Sequence, residues 1–486
     1  MPRLRLLLAS TALTLLSSIA SADSLQGTID GIARTSTLTS GTYGVAVVSC
    51  DGDQVLADIN AQAPRIPASN QKLLSSGTAI VALGPDYTFR TRLLQRGDEV
   101  ILVGDGDPGL ADPELLVDTI DAFGRPLTAD GVLDIWADAI QNAGLTHVER
   151  LVIDDRVFDQ QFIHESWPKD QLNLHYCAGS AGLNFHRNML ELFPQPHPRG
   201  GRPVLDDVRP AVPFLPIDNQ LKRHAKDNAV HAVQKAGEDT IVVTGKVAKK
   251  TVVPIAVTVR DMPLLTGRML ADRLQRRGIE VAMVARASDN EHFADAHPIG
   301  PDIVTPMATV LERCNVESRN IYADALLKRA AHEATHRPGS WRDGAALVRR
   351  EVRARTGTDV VEVADGSGMS RRNAVSPMVL AKWLASFKRG TPEGDAMLDS
   401  LSTQDRGTID RRFGGTLKLA GCTIEGKTGY IRGVSTLSAV ITAPDRRCAA
   451  FSVLCNGIVG DTTAAKKLQR SVVEAIAAWL TSRQSA

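Results

Sequence analysis

Three short motifs place nucleophilic, basic and amide side chains at spacings that suit chemistry. They are Ser69-Asn70-Gln71-Lys72, Ser318-Arg319-Asn320 and Lys427-Thr428-Gly429. Each motif occurs by chance in many chains when it is taken alone. Their order along one chain, together with the residues around each, predicts an active-site serine whose base is a lysine.

The first motif combines a serine and a lysine three residues apart. On a helix, Ser69 and Lys72 share one face, so the hydroxyl and the amine come within hydrogen-bonding reach. A free lysine has a pKa near 10.4, and burial or a second cation would lower this pKa and supply a neutral amine. The positive field at a helix N-terminus favours charge that develops on the serine oxygen. We therefore predict Ser69 as the nucleophile and Lys72 as its base.

The second motif carries a hydroxyl and an amide. Ser318 and Asn320 could reach one cleft from a loop or from a helix start. The hydroxyl could relay a proton towards a leaving amine, and the amide could bind both a substrate carbonyl and the catalytic lysine. The same residues also fit a cap for a helix over 321–327, and the two interpretations are compatible.

The third motif precedes a predicted hairpin near the end of the chain. Lys427 and Thr428 on a strand edge could hold an anionic carboxylate, and Gly429 allows another backbone to approach closely. The amide of Tyr430 could pair with the amide of Ser69 as an oxyanion hole.

The elements that must position these residues follow from hydrophobic periodicity and turn signals. The pattern at the two ends of the chain predicts a mixture of helices and strands. In the middle of the chain the pattern changes, and short predicted strands alternate with turns. We predict strands over 43–49, 437–442 and 449–455, the last two forming a hairpin, and helices over 68–83, 306–331, 376–387 and 462–480.

The N-terminus has the pattern of a secretory signal peptide, residues 1–22. Arg3 and Arg5 precede an apolar run, and Ala20-Ser21-Ala22 fits a small-residue cleavage site. The apolar run is too short to span a membrane comfortably, and no later stretch approaches that length. Export makes the six cysteines relevant, because an oxidising compartment permits up to three disulfides, although several could equally be buried thiols.

Composition excludes some classes of function. The formal net charge is +1, no run of lysine and arginine forms a stripe, and aromatic residues make up 4% of the chain. These three features argue against a nucleic-acid-binding surface. A hydrophobic content of 43% indicates a chain that builds a core, and its 486 residues suffice for two or more domains.

In combination the motifs resemble the low-molecular-mass class C penicillin-binding proteins, the D-alanyl-D-alanine carboxypeptidases/endopeptidases. Further matching segments extend the resemblance over nearly the whole mature chain. About 245 residues lie between Lys72 and Ser318, where this family carries a large insertion. The additional matches are Leu83-Gly84-Pro85-Asp86-Tyr87, Gly106-Asp107-Pro108, Gly339-Ser340-Trp341, Asp365-Gly366-Ser367-Gly368-Met369-Ser370-Arg371 and Ser376-Pro377.

The resemblance implies a serine hydrolase, of periplasmic or secreted location, that acts on peptidoglycan stem peptides. Ser69 would attack a D-Ala-D-Ala bond or a D-alanyl cross-link, and β-lactam antibiotics would acylate the same serine. Ser318 and Asn320 would assist, and Lys427 and Thr428 would hold the terminal carboxylate. No metal and no organic cofactor is implied. The position of Tyr430 usually carries a small hydroxyl residue in the family, so its backbone amide is the group expected to act.

The implied fold is an α/β (α+β) transpeptidase/β-lactamase-like domain, an antiparallel sheet flanked by helices. We expect this catalytic domain to comprise residues 23–90 and 296–486. Residues 91–295 would form a β-rich insertion, with two subdomains.

Three other functions are compatible with parts of the sequence. A β-lactamase or esterase on the same fold would differ only in how fast water reaches the acyl-enzyme, and a catalytically weak cell-wall binding protein would keep the fold. The segment His332-Glu333-Ala334-Thr335-His336 matches the HExxH pattern of zinc peptidases. Pro338 and Gly339 break the predicted helix directly afterwards, which disfavours this zinc site.

Overall fold

The computed structural model describes residues 23–51, 54–120, 124–359 and 362–482, so the predicted signal peptide lies outside the described residues. The described residues fall into two compact units. The terminal unit comprises the chain up to Pro67, Val375–Lys388 and the chain from Ser402 onward, and the central unit comprises Ala68–Ala374 and Arg389–Leu401.

The helices are, in chain order, α1 (Asp23–Thr35), α2 (Gln71–Leu83), α3 (Pro113–Leu116), α4 (Ala129–Asn142), α5 (Met262–Arg276), α6 (Met307–Asn315), α7 (Asn320–Thr335), α8 (Trp341–Thr356), α9 (Pro377–Ala385), α10 (Pro392–Asp399), α11 (Gly407–Phe413) and α12 (Thr463–Ser482). The strands are, in chain order, β1 (Tyr43–Ser49), β2 (Val55–Ile59), β3 (Thr88–Arg96), β4 (Glu99–Val103), β5 (His147–Asp154), β6 (Met189–Leu192), β7 (Val208–Arg209), β8 (Ile217–Arg223), β9 (Ala229–Gln234), β10 (Ile241–Val247), β11 (Ile255–Thr258), β12 (Glu280–Arg286), β13 (His297–Pro298), β14 (Ile303–Pro306), β15 (Thr423–Ile431), β16 (Val434–Thr442) and β17 (Cys448–Cys455).

The terminal unit is built on a five-stranded antiparallel sheet in the order β15-β16-β17-β1-β2. Side chains of β1, β16 and β17 share one core with α1 and α12, and α9 packs against β1 and β17. Both faces of β1 are covered, so this strand is a continuous apolar run rather than an alternating one. The predicted antiparallel sheet flanked by helices is confirmed, as are the strand over 43–49 and the hairpin of β16 and β17.

One disulfide ties the sheet of the terminal unit together. Cys50, directly after β1, bonds Cys448 at the start of β17. The other four cysteines, Cys177, Cys314, Cys422 and Cys455, are buried thiols. The chain therefore uses one of the three disulfides that its composition permits.

The central unit buries helix α2 against α6, α7, α8 and α10. Every residue from Gln71 to Ile80 is buried, so this helix has no solvent-facing side over its first turns. A lysine within that stretch is consequently removed from water.

The remainder of the central unit contains three further sheets. The largest has the order β12-β5-β4-β3-β13, with β14 also paired to β3; β12, β5 and β4 run parallel, and β3 is antiparallel to β4. Helices α4 and α5 make the crossovers before β5 and β12, and they share one core with this sheet. Two small sheets, β8-β10-β9 and β11-β6-β7, complete the unit.

The predicted single helix over 306–331 is wrong at one point. The chain instead forms two helices, α6 and α7, separated by four residues. Ser318 in this break has a φ of +63°, a left-handed conformation that cannot continue a right-handed helix. The break is what allows Ser318 to lie just before a new helix start.

Candidate active site

Ser69 lies where the chain turns into helix α2. Residues Ala68–Asn70 form a short 3-10 turn that continues directly into α2, and Ser69 is half-buried. Ala68 has a φ of +46°, so the residue before the predicted nucleophile is held in a left-handed conformation. The strained turn presents the serine at the beginning of a buried helix.

Gly368 packs directly against the backbone of this turn. A Cβ built on Gly368 would lie 1.8 Å from the carbonyl oxygen of Ala68, and Gly368 has a φ of +83°. Both facts require glycine, since any larger residue would push the turn and the loop apart. The Ser69 turn and the Gly368 loop are therefore packed backbone against backbone.

Lys72 is fully buried and its amine contacts three acceptors. Nζ donates to Asn320 Oδ1 at 2.7 Å, to the Ser367 carbonyl oxygen at 2.7 Å and to Ser69 Oγ at 3.3 Å. Burial lowers the pKa of Lys72, against the opposing effects of Cys314, Asp324 and Asp365. The neutral amine is thus more accessible than in a free lysine, and the serine oxygen is within reach of it.

Asn320 is the first residue of helix α7, and both ends of its amide are engaged. Oδ1 accepts from Lys72, and Nδ2 donates to the carbonyl oxygen of Tyr176 at 2.7 Å. These two contacts assign the orientation of the amide, because a flipped group would face a donor with a donor. Ser318 lies two residues earlier, on the left-handed turn.

An ion cluster anchors the turn that carries Ser318. Arg319 Nη2 donates to both carboxylate oxygens of Glu114 at 2.5 and 2.7 Å, and Arg313 also pairs with Glu114. Burial by itself would raise the pKa of Glu114. The pKa is nevertheless lowered to about 2 by the three neighbouring guanidinium groups of Arg313, Arg319 and Arg187. The residues on both sides of the turn are thereby tied to one carboxylate.

The loop after helix α8 supplies the third acceptor for Lys72, and Asp365 organises it. Asp365 Oδ1 accepts from the amide of Gly368 at 2.9 Å, and Oδ2 accepts from the amide of Ser370 at 2.6 Å and from Trp167 Nε1 at 2.7 Å. This carboxylate fixes the backbone around Ser367, so that the Ser367 carbonyl faces the lysine.

Asp324 holds the same loop from helix α7. Its Oδ1 accepts from the amide of Gly366 at 2.8 Å and from Trp341 Nε1 at 3.3 Å, and the residue is fully buried. Burial, together with the charge of Asp365, raises the pKa of Asp324 to about 7. This titratable carboxyl therefore binds the amide of Gly366, the residue directly before the Ser367 carbonyl that accepts from Lys72.

The third motif lies in the terminal unit, on strand β15. Lys427 is fully buried and donates to the Thr428 carbonyl oxygen at 3.0 Å, Thr428 is buried, and the Gly429 carbonyl accepts from Arg412 at 3.0 Å. Tyr430 is 63% exposed. The structure thus brings Ser69, Lys72 and Asn320 together within the central unit, with Ser318 adjacent in sequence, and places residues 427–430 along one strand.

Sequence reasoning missed several residues that shape the site. Glu114 and the Tyr176 carbonyl come from the predicted insertion, and neither carries a motif of its own. The role of Asp365 had a usable signal, because an aspartate followed by Gly366 and Gly368 is typical of a tight turn.

The HExxH segment does not form a zinc-peptidase arrangement. Helix α7 ends at Thr335, and His336 has a φ of +54° beyond the helix end. Glu333 pairs with Arg329 at 3.1 Å, and His332 Nδ1 contacts the Arg337 carbonyl at 2.8 Å. Across the described ranges, no group of three or more His, Cys, Asp or Glu residues could hold a metal ion.

Within the part of the chain that the structure describes, no helix combines the length and the apolar character needed to cross a membrane.

Known proteins resemble this chain over most of its length. The chain is 28% identical over 468 residues to a D-alanyl-D-alanine carboxypeptidase of Actinomadura sp. (strain R39), covering 90% of this chain and 81% of the relative. It is 23% identical over 433 residues to the D-alanyl-D-alanine carboxypeptidase DacB of Haemophilus influenzae, covering 85% of each protein.

Solved structures show the same fold. The crystal structure of penicillin binding protein 4 (dacB) from Haemophilus influenzae superposes with a TM-score of 0.71 at 20% identity, covering 91% of this chain and 98% of the other. The same protein complexed with a β-lactam gives a TM-score of 0.65 at 21% identity, covering 91% and 97%. Residues 25–481 match the D-Ala-D-Ala carboxypeptidase 3 (S13) family. The chain therefore belongs to this family of serine peptidases.

Proposed function

We propose that this protein hydrolyses D-alanyl peptide bonds of peptidoglycan through an acyl-enzyme on Ser69. The observation that carries the proposal is the fully buried Lys72, whose amine lies 3.3 Å from Ser69 Oγ and is held by Asn320 and the Ser367 carbonyl. A buried amine with a lowered pKa next to a serine hydroxyl is the arrangement that serine activation requires.

In the first half of the reaction, Ser69 Oγ attacks the carbonyl carbon of the penultimate D-Ala while Lys72 Nζ takes the hydroxyl proton. The C–N bond then breaks, and the proton passes from Lys72, with the help of the Ser318 hydroxyl, to the leaving amine. Free D-Ala, or the peptide that carries the freed amine of the cross-link, departs, and the D-alanyl peptide remains as an ester on Ser69.

In the second half, water adds to the ester carbonyl and gives a proton to Lys72. The C–O bond to Ser69 breaks, and the serine oxygen regains its proton from the lysine, which restores the resting enzyme. A β-lactam would acylate Ser69 by opening its ring, which leaves no departing group to diffuse away. Slow entry of water would then hold the inhibitor in place.

We assign the roles that the family resemblance implies to Lys427, Thr428 and the backbone amide of Tyr430. The lysine and the threonine would bind the terminal carboxylate of the substrate, and the amide would stabilise the developing oxyanion. The strand geometry supports this assignment, since residues 427–430 form a regular register with β16.

Labelling with a fluorescent penicillin tests the nucleophile. Ser69→Ala should abolish covalent labelling, whereas the exposed Ser288→Ala should label like the unmodified protein. Equal labelling of the Ser69→Ala protein would overturn the assignment. Mass spectrometry of the labelled peptide locates the adduct independently.

Product analysis separates the activities that remain open. Release of D-Ala from a pentapeptide indicates a carboxypeptidase, and cleavage of cross-linked muropeptide dimers indicates an endopeptidase. Fast multiple turnover of a chromogenic cephalosporin, with neither peptide cleaved, would indicate a β-lactamase instead.

We also propose that the protein is exported and that residues 91–295 form the insertion of its catalytic domain. The basic and apolar pattern of residues 1–22 supports export, and N-terminal sequencing of the protein from its native host should find Asp23 first. The pairing of β3 with β14 supports an insertion whose two ends lie close together.

A further inference from the structure

Six exposed cations gather at one end of the small sheet β8-β10-β9. We call this surface the basic tip; its cations are Lys222, Arg223, Lys226, Lys246, Lys249 and Lys250. They come from the ends of the parallel strands β8 and β10 and from the loops that follow these strands. The parallel direction places both strand ends at the same edge of the sheet.

The strand register brings like charges together. Lys222 is paired with Lys246 across β8 and β10, so the two side chains emerge side by side on one face. Like charges in directly opposite positions destabilise a sheet. The pair of Lys222 and Lys246 therefore does not stabilise the folded protein.

The two loops of the basic tip are fastened to each other. Asn228 Oδ1 accepts from the amides of Ala248 and Lys249 at 2.7 and 3.1 Å, and its Nδ2 donates to the Lys249 carbonyl at 2.9 Å. This single amide holds the loop after β8 against the loop after β10. The cations are therefore presented together on a fixed surface.

The cations of the basic tip are not neutralised by the protein. None of the six forms an ion pair with any residue that the structure describes, whereas Arg273 and Arg277 elsewhere in the central unit both pair with Asp134. The segment from 240 to 260 contains no aspartate or glutamate. Asp227, the acid within the adjoining loop, faces His224 at 3.7 Å. The basic tip is thus complementary to an external anion.

Two neighbouring apolar side chains project beside these cations. Val252 is 85% exposed and Val253 is 77% exposed, and only Thr251 separates them from Lys249 and Lys250 in the same loop. Adjacent valines with most of their surface in water favour a site that buries them on contact. Lysines next to exposed apolar side chains are the combination that an anionic lipid surface binds, with the cations at the phosphates and the apolar groups at the acyl boundary.

We propose that the basic tip docks the protein on the surface of an anionic phospholipid bilayer. Lys249 and Lys250 contact headgroup phosphates, and Val252 and Val253 enter the interfacial layer. The exposed valine pair favours a bilayer as the binding partner, because a soluble polyanion would contact the cations and leave the valines in water.

The test measures sedimentation with vesicles of phosphatidylcholine alone and of phosphatidylcholine mixed with phosphatidylglycerol. The chain from Asp23 onward is used, because the apolar residues 1–22 would bind vesicles by themselves. We expect binding to the anionic vesicles only, weakened by salt. Lys249→Gln with Lys250→Gln should lower the partition constant about tenfold or more, and Val252→Ser with Val253→Ser should lower it severalfold.

Matched controls come from the terminal unit. Val459 is 97% exposed, and Lys466 and Lys467 are an exposed pair on α12. Val459→Ser and the double change Lys466→Gln with Lys467→Gln should leave vesicle binding unchanged. Since the substituted side chains are exposed, the thermal unfolding temperature of every variant should stay close to that of the unmodified chain.

Three results would overturn the proposal. The first is equal sedimentation with both kinds of vesicle or with neither. The second is binding that needs the lysines but not the valines, together with competition by soluble polyphosphate as effective as that by vesicles, which would indicate a soluble polyanion. The third is a control variant that loses as much binding as the variants of the basic tip.

Discussion

Lys72 Nζ donates a 2.7 Å hydrogen bond to Asn320 Oδ1, although 248 positions separate the two residues along the chain. Asn320 opens helix α7, and Lys72 lies in the first turn of helix α2, which packs against α7. The contact therefore makes the position of the predicted base depend on the packing of two helices. A substitution of Asn320 should therefore alter the position of the Lys72 amine and, through it, the reactivity of Ser69.

Asn320→Ala tests this dependence. The substitution removes an acceptor of the buried amine, so the lysine loses its orientation towards Ser69. We expect the rate of acylation by a penicillin to fall about 100-fold or more, in line with the usual contribution of a positioned base. The exposed Asn142→Ala serves as the control and should acylate normally. Unchanged acylation of Asn320→Ala would show that Lys72 is held sufficiently by its other contacts.

The pH dependence of acylation tests the protonation state of Lys72. Burial lowers the pKa of Lys72, so the neutral, reactive amine becomes populated as pH rises through this lowered pKa. The midpoint of the rise in acylation rate should therefore lie below 10.4, the pKa of a free lysine. Asn320→Asp places a negative charge beside the Lys72 amine, which raises the pKa of the lysine and should shift the rise to higher pH. A rise centred near 10.4 in the unmodified protein would contradict the lowered pKa.

Gly368→Ala tests the support beneath the serine turn. The new Cβ would lie 1.8 Å from the Ala68 carbonyl at a φ of +83°, so the loop and the turn must separate. We expect a loss of several kcal/mol of stability and a strongly reduced acylation rate. Gly390→Ala is a matched control, because Gly390 has a φ of +85° and nothing within 4 Å. This control should cost only about 1 kcal/mol, measured by denaturant unfolding, and should acylate normally.

Asp324→Asn tests the titration of a buried carboxyl. The pKa of Asp324 is raised to about 7 in the folded protein, against about 3.9 in an unfolded chain. The unfolded chain therefore loses this proton first as pH rises, and the folded protein loses stability between about pH 4 and pH 7.

The asparagine keeps an acceptor for the amide of Gly366 but does not titrate. The free energy of unfolding of Asp324→Asn, relative to the unmodified protein, should consequently rise over this pH interval by an amount on the order of a few kcal/mol. Urea titrations at several pH values measure the difference. A difference that does not vary with pH would mean that Asp324 is ionised throughout.

Local features of the sequence predicted the parts of the structure that depend on neighbouring residues. Ser69 and Lys72 are three residues apart at a helix start, and this spacing alone brings a hydroxyl near an amine. The hairpin of β16 and β17 likewise follows from two apolar runs and a short turn. Such patterns involve few residues, so other parts of the chain seldom override them.

Contacts between distant segments could not be predicted in this way. The predicted helix over 306–331 had good periodicity, but the chain breaks it at Ser318, where Arg313 and Arg319 are both tied to Glu114. The pairing of Cys50 with Cys448, rather than any other cysteine, follows from the register of β1 and β17. Connectivity of this kind is a property of the sheet and not of the spacing.

The sequence by itself determined which side chains can do the chemistry and the order in which they occur. The tertiary structure alone decided that Lys72 is fully buried, that Asn320 and the Ser367 carbonyl hold its amine, and that the Tyr176 carbonyl orients the amide of Asn320. The physical reason is that a pKa and a hydrogen-bonding partner depend on desolvation and on atoms within a few ångströms. These atoms come from segments hundreds of residues apart, which only the packed chain brings together.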